Sequence, residues 1–157
     1  MSPTIRDPQQ PDLLAWAPPA LVERFEPHRV RAATLGGRVK RAIAETLRQA
    51  AEGEQDRDAV AEAMNAFLGE EVPKSALDAW ASEAREDYLP NIVRFVALLH
   101  ATQDMRLLQT IAEVCGWAVV ERKYLPMIEL ASIREHEDAV KRRRQELQAL
   151  ARHTGAL

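Results

Sequence analysis

The chain has 157 residues, 46% hydrophobic and 29% charged, with 21 Lys or Arg against 24 Asp or Glu. That size and balance fit one compact domain with accessory segments, and they exclude a collagen-like or wholly disordered chain. No apolar run approaches the roughly 18 to 20 residues of a spanning helix, and the N-terminus has no signal-peptide core, so a soluble, cytoplasmic protein without a membrane partner is expected.

Cys115 is the only cysteine, which rules out an intramolecular disulfide and a cysteine-rich zinc site. Ala, Leu, Glu, Arg and Gln abound while β-branched and aromatic residues are sparse. An all-α fold follows.

Charge is unevenly distributed. Residues 1–55 carry +1, residues 56–116 carry −6 and residues 117–157 carry +2. Within the first segment, Arg29, Arg31, Arg38, Lys40, Arg41 and Arg48 face Glu45 alone, a local +5. Such a cluster suits either phosphate binding or a solvated helix face.

Six of the nine prolines (Pro3, Pro8, Pro11, Pro18, Pro19 and Pro27) precede residue 28. They remove backbone donors and fix φ, so residues 1–28 read as an extended arm. Leu13, Leu14, Trp16, Leu21, Val22 and Phe25 make the arm too apolar for a solvated tail, and part of it is expected to dock on the core or on a neighbouring subunit.

Gly36 and Gly37 precede the first clear helix, with Val39, Ala42, Ile43, Leu47 and Ala50 on one face. The second has Asp56 as N-cap, a stripe of Val60, Ala63, Met64, Phe67 and Leu68, and Gly69 as its stop. The third follows Pro73, with Ser75 at the cap and Leu77, Trp80, Ala81 and Ala84 facing inward over a span to Arg85. A fourth opens at Pro90 and buries Ile92, Phe95, Val96 and Leu99. The fifth begins near Asp104, carries Leu107, Leu108, Ile111 and Cys115 on its apolar face, and ends at Gly116.

Trp117-Ala118-Val119-Val120 is compatible with a strand, a bridge or the start of a helix. From Leu125, with Pro126 in its first turn, the pattern is helical and long. Ile133, Val140 and Leu147 stand seven apart, marking a self-association stripe, but the intervening positions hold His136 or Glu137 and then Arg143 or Arg144. A strong two-stranded zipper has apolar groups there.

Enzyme signatures are missing. Gly36-Gly37-Arg38 lacks the spacing of a dinucleotide fingerprint or a phosphate loop, and in His136-Glu137-Asp138-Ala139-Val140 the valine occupies the place of a second zinc-binding histidine. His28, His100 and His153 are isolated in sequence. We therefore expect no catalytic residue, metal, cofactor or small-molecule substrate.

The short adjacent helices from Asp58 to Leu68 and Ser75 to Arg85, followed by two more, have the order of a helix-turn-helix domain, although an ordinary helical hairpin has it too. In the former case Lys74, Ser75, Asp78, Ser82 and Arg85 face nucleic acid, with Lys74 and Arg85 as the cationic contacts.

Three runs carry a resemblance. They are Asp58-Ala59-Val60-Ala61-Glu62-Ala63-Met64, Leu68-Gly69-Glu70-Glu71-Val72-Pro73-Lys74-Ser75-Ala76-Leu77-Asp78-Ala79-Trp80 and Ala101-Thr102-Gln103-Asp104-Met105-Arg106-Leu107-Leu108. Over about residues 38–116 the chain resembles small regulatory proteins of Mu-like transposable phages and prophages. More distantly it is similar to phage regulators of the CII type, which carry a comparable ATGD-x-R-L-L run. The resemblance implies a cytoplasmic helix-turn-helix regulator with Lys74, Ser75, Asp78, Ser82 and Arg85 on its recognition helix. Relative to the compact motif, Asn65 to Leu68 add about a turn and Glu70 to Lys74 lengthen the connection.

The expectation is thus an all-α, helix-turn-helix-like five-helix bundle over residues 29–116, with an arm over 1–28 and a linker and long helix over 117–157. Its leading function is non-enzymatic DNA binding by an oligomeric regulator. Arg38, Lys40, Arg41, Lys141, Arg142, Arg143 and Arg144 would supply phosphate affinity. The alternative is a helical assembly module that pairs with itself or with a partner protein through Ile133, Val140 and Leu147.

Overall fold

A computed structural model describes residues 21–85 and 87–154. Leu13, Leu14 and Trp16 of the expected arm, and the charge of Glu86, lie outside the described residues. The fold is all-α, and among the described residues there is no strand.

The chain first forms a single turn, α1 (Pro27–Val30), and then α2 (Leu35–Glu52), which is the centre of the bundle. Thr34 caps α2, its hydroxyl accepting from the Gly37 amide at 3.1 Å. Gly36 and Gly37 therefore lie inside the first helical turn, not ahead of it. A Cβ on Gly37 would stand 3.1 Å from Ala32 Cβ, so the missing side chain lets the α1–α2 connection close onto the helix.

Helix α3 (Arg57–Leu68) starts where expected, the Asp56 carboxylate accepting from the Ala59 amide at 2.8 Å, and stops at Gly69 with φ +70°. Helix α4 (Lys74–Ala81) is shorter than the sequence suggests. Its N-cap is Pro73, without a side-chain cap bond, so Ser75 stands within the helix rather than at its cap. Ser82 ends it in extended backbone, which places Ala84 and Arg85 in the following turn.

Asn91, not Pro90, opens α5 (Ile92–Thr102), its side chain accepting from the Arg94 amide at 2.9 Å. In α5 Phe95, Ala97, Leu98 and Leu99 face inward, whereas Ile92 and Val96, expected in the core, are exposed. Helix α6 (Met105–Ala112) is capped by Asp104.

Beyond α6 the chain tightens into a 3₁₀ turn at Glu113–Cys115 and reverses at Gly116, φ +75°. The tighter winding carries Cys115 off the inward face of α6, so it is exposed rather than a core residue.

The core joins α2, α3, α4, α5 and α6. Ile43, Leu47, Val60, Met64, Val72, Leu77, Trp80, Leu98 and Leu107 are fully enclosed, and α3 packs most extensively on α5. Phe25 and Val30 close one end, with the Arg106 guanidinium 4.5 Å above the Phe25 ring.

Residues Trp117–Val120 form neither helix nor strand. They are fastened to α6, where the enclosed Gln109 side chain accepts from the Val119 amide at 2.6 Å. A second 3₁₀ turn, Arg122–Tyr124, leads into α7 (Leu125–His153). Every residue of α7 from Leu125 to Leu150 is exposed.

Candidate interaction surfaces

Four arginines of the basic stretch in α1 and α2 are paired with carboxylates, some distant in sequence and some one helical turn away. Arg38 donates to Glu113 at 2.7 Å, and Arg24 meets the same carboxylate at 2.6 Å. Arg41 forks onto Glu83 at 2.9 and 3.2 Å and also bonds the Arg31 carbonyl. Arg48 holds Glu45 at 2.6 and 3.0 Å and pairs with Glu52. Arg29 reaches Glu45 at 3.6 Å.

Lys40 is wholly enclosed, its ammonium donating to the carbonyls of Tyr88 at 2.8 Å and Ala79 at 3.3 Å. It does not face phosphate, as its place in the basic stretch suggests. It instead serves the packing of α2 against α4 and presents no cation at the surface.

These pairs perturb the acids in the direction their geometry demands. The hydrogen bond from Arg48 drives the Glu45 carboxyl down to about 2, against the opposing effect of burial and with help from Gln49 and Arg29. Burial by itself would raise Glu113, but hydrogen bonds from Gln109, Arg24 and Arg38 outweigh it and hold the group below its ordinary value.

The outer face of α4 is also neutralised locally. Lys74 donates to Asp58 at 2.5 Å, and Asp78 is paired with Arg57. Two of the five expected recognition residues are thus tied back to α3. Ser75 is exposed beside them, while Ser82 and Arg85 lie past the end of the helix. Lys74, Ser75 and Asp78 share one short element, and Ser82 and Arg85 do not extend it.

Two apolar surfaces remain. The first is a groove between α3, α5 and α6, where Phe67 stacks on His100 with ring centroids 4.2 Å apart and Ile92, Val96 and Met105 are open. Periodicity assigns Ile92, Val96 and Phe67 to the core and so misses this groove. Spacing alone gives no warning, because Ile92 stands three before Phe95 and seven before Leu99, the pattern of a single face.

The second is α7. Ile133, Val140 and Leu147 are 49, 53 and 49% exposed and lie along one side with Leu130 and Leu150. Lys141, Arg142, Arg143 and Arg144 sit on the same helix, all exposed, with Arg143 pairing to Glu146 at 3.1 Å and Arg142 reaching back to the Asp138 carbonyl at 3.3 Å. The expected self-association stripe and this basic run therefore share one solvent-exposed element, whereas Arg38, Lys40 and Arg41 belong to α2.

Among the described residues, no group of three or more His, Cys, Asp or Glu side chains is placed to hold a metal ion, and no helix is long and apolar enough to cross a membrane. No protein-family model matches this chain, and neither a curated protein nor a solved structure matches it.

Proposed function

We propose that this chain is a non-enzymatic helical interaction module, in which a folded core displays α7 as the element that docks on protein. The observation that carries the reading is the exposure of the α7 apolar stripe along the whole helix. Isolated helices are marginal in water, and apolar faces of that length mark contact surfaces. The internal pairing of Arg38, Arg41, Arg48 and Lys74 supports it further, because cations already held by carboxylates contribute little to phosphate affinity.

The test compares the full chain with the Ile133→Gln/Val140→Gln/Leu147→Gln variant by light scattering and by gel shift on mixed duplexes. The reading predicts that the variant keeps its helical core and no longer associates, and that the parent retards no duplex at about 50 mM salt. DNA retention by a monomeric chain would overturn it.

A second reading, a DNA-binding regulator of the phage type, has one specific observation in its favour: Lys141, Arg142, Arg143 and Arg144 are exposed together on α7. It predicts retardation that weakens steeply with salt. Neutralising that run should flatten the salt slope by about 0.9 for each DNA phosphate the variant no longer engages.

A further inference from the structure

The charges of α7 are divided along its length. From Leu125 to Asp138, Glu129, Glu135, Glu137 and Asp138 stand against Arg134 alone, a net −3. From Ala139 to His153, Lys141, Arg142, Arg143, Arg144 and Arg152 stand against Glu146 alone, a net +4. The boundary falls at the middle of a helix about 43 Å long. Arg152 in the last turn suits the negative end of the helix dipole.

We propose that α7 pairs with α7 of a second copy of this chain in antiparallel orientation. This rests on the interaction-module reading and specifies its partner. The positions that alternate by three and four along the apolar side are Leu130, Ile133, Glu137, Val140, Arg144 and Leu147. In a parallel, in-register pair Glu137 faces Glu137 and Arg144 faces Arg144, like charges at interior sites, with like halves abutting along the flanks. An antiparallel crossing centred near residues 138–140 reverses every one of these contacts. It sets Leu130 against Leu147 of the second copy. It also brings Glu137 level with the neighbourhood of Lys141 and about one turn from Arg144 of that copy, and lays each acidic half along a basic half. In that register Glu137 stands level with Val140 and Arg144 with Ile133 of the second copy, so neither interior charge faces its like and the two lie about 6 Å apart along the axis. Pairing through complementary charge at interior positions selects orientation as well as partner.

The test uses the full chain in a Cys115→Ser background, because Cys115 is exposed and would take up label. Light scattering should give twice the 17.6 kDa chain mass. Spin labels on Ala139→Cys should lie at the same height in the dimer. Labels on Ala149→Cys should be offset along the axis by about 30 Å, from the 1.5 Å rise per residue. Equal heights at both sites would mean a parallel pair and overturn the proposal while leaving the interaction reading intact. A monomer at the highest soluble concentration would overturn it as well.

A second arm changes the charges. The Glu135→Lys/Glu137→Lys/Asp138→Lys variant and the Lys141→Glu/Arg142→Glu/Arg144→Glu variant should each self-associate at least tenfold more weakly, and should recover a two-chain mass when mixed. Undiminished self-association of either variant would exclude charge-directed pairing. Retardation of duplex DNA by the monomer, measured alongside, is the outcome that removes the interaction reading itself.

Discussion

Arg38 Nη2 and Glu113 Oε2 lie 2.7 Å apart, joining residues 75 positions distant in the chain. The contact ties the first turns of α2 to the 3₁₀ turn that follows α6, and Arg24 shares the same carboxylate. In a stretch that carries +5 in sequence, Arg29, Arg38, Arg41 and Arg48 are each paired with a carboxylate in the folded chain.

Removing that carboxylate should expose the masked charge. Glu113→Ala is expected to elute from immobilised heparin at higher salt than the parent, because Arg24 and Arg38 lose their shared partner. The stability cost is about 1 kcal/mol or less, since both arginines are partly solvated. Unchanged elution would show that these guanidinium groups stay unavailable for another reason.

Acid titration should report on Glu45. Its folded value of about 2 is below the ordinary 4.5, so the associated stability is complete above about pH 4.5 and is lost as pH falls toward 2. The full effect is at most about 3 kcal/mol. Thermal melts stepped from pH 6 to about pH 2 should show a shallower decline for Glu45→Gln than for the parent.

Trp80 is 1% exposed at the junction of α4 with α2. Trp80→Ala should lower stability by about 3 to 5 kcal/mol, read as a fall in the denaturant midpoint. Retained stability would require the core to collapse around the vacated volume.

Lys40→Met keeps the aliphatic stem and removes the ammonium. The Ala79 carbonyl, in the last turn of α4, and the Tyr88 carbonyl then lose a donor. The expected cost is about 1 to 3 kcal/mol. Faster amide exchange in the last turn of α4 and in the loop to Tyr88 should accompany it, and exchange unchanged there would assign the stabilisation to the stem alone.

Much of the helix order is legible in the sequence because its punctuation is local. Asp56, Gly69 and Asp104 act through bonds and dihedrals within a few residues, and the structure places each in the expected role. Expectation and structure part where distant groups decide. Ser75 has the chemistry of a cap, but Pro73 already fixes the entry backbone. Ile92 and Val96 have core chemistry, but tertiary packing turns Phe95, Ala97, Leu98 and Leu99 of the same helix to the bundle instead. Cys115 turns outward because the 3₁₀ turn changes the winding after Ala112. The basic stretch looks like a phosphate surface because composition counts charge without its partners. The carboxylates of Glu83 and Glu113 reach it only through tertiary folding.

The bond from the Val119 amide to Gln109 sits at the root of α7, and a helix about 43 Å long is a lever. Ten degrees of rotation at that root sweeps the far end through roughly 7 Å, more than one helical turn. The segment Trp117–Val120, with the reversal at Gly116 before it, therefore stands where a small rotation moves the Lys141–Arg144 side chains farthest. Any rotation at that root is multiplied along the helix before it reaches residue 144.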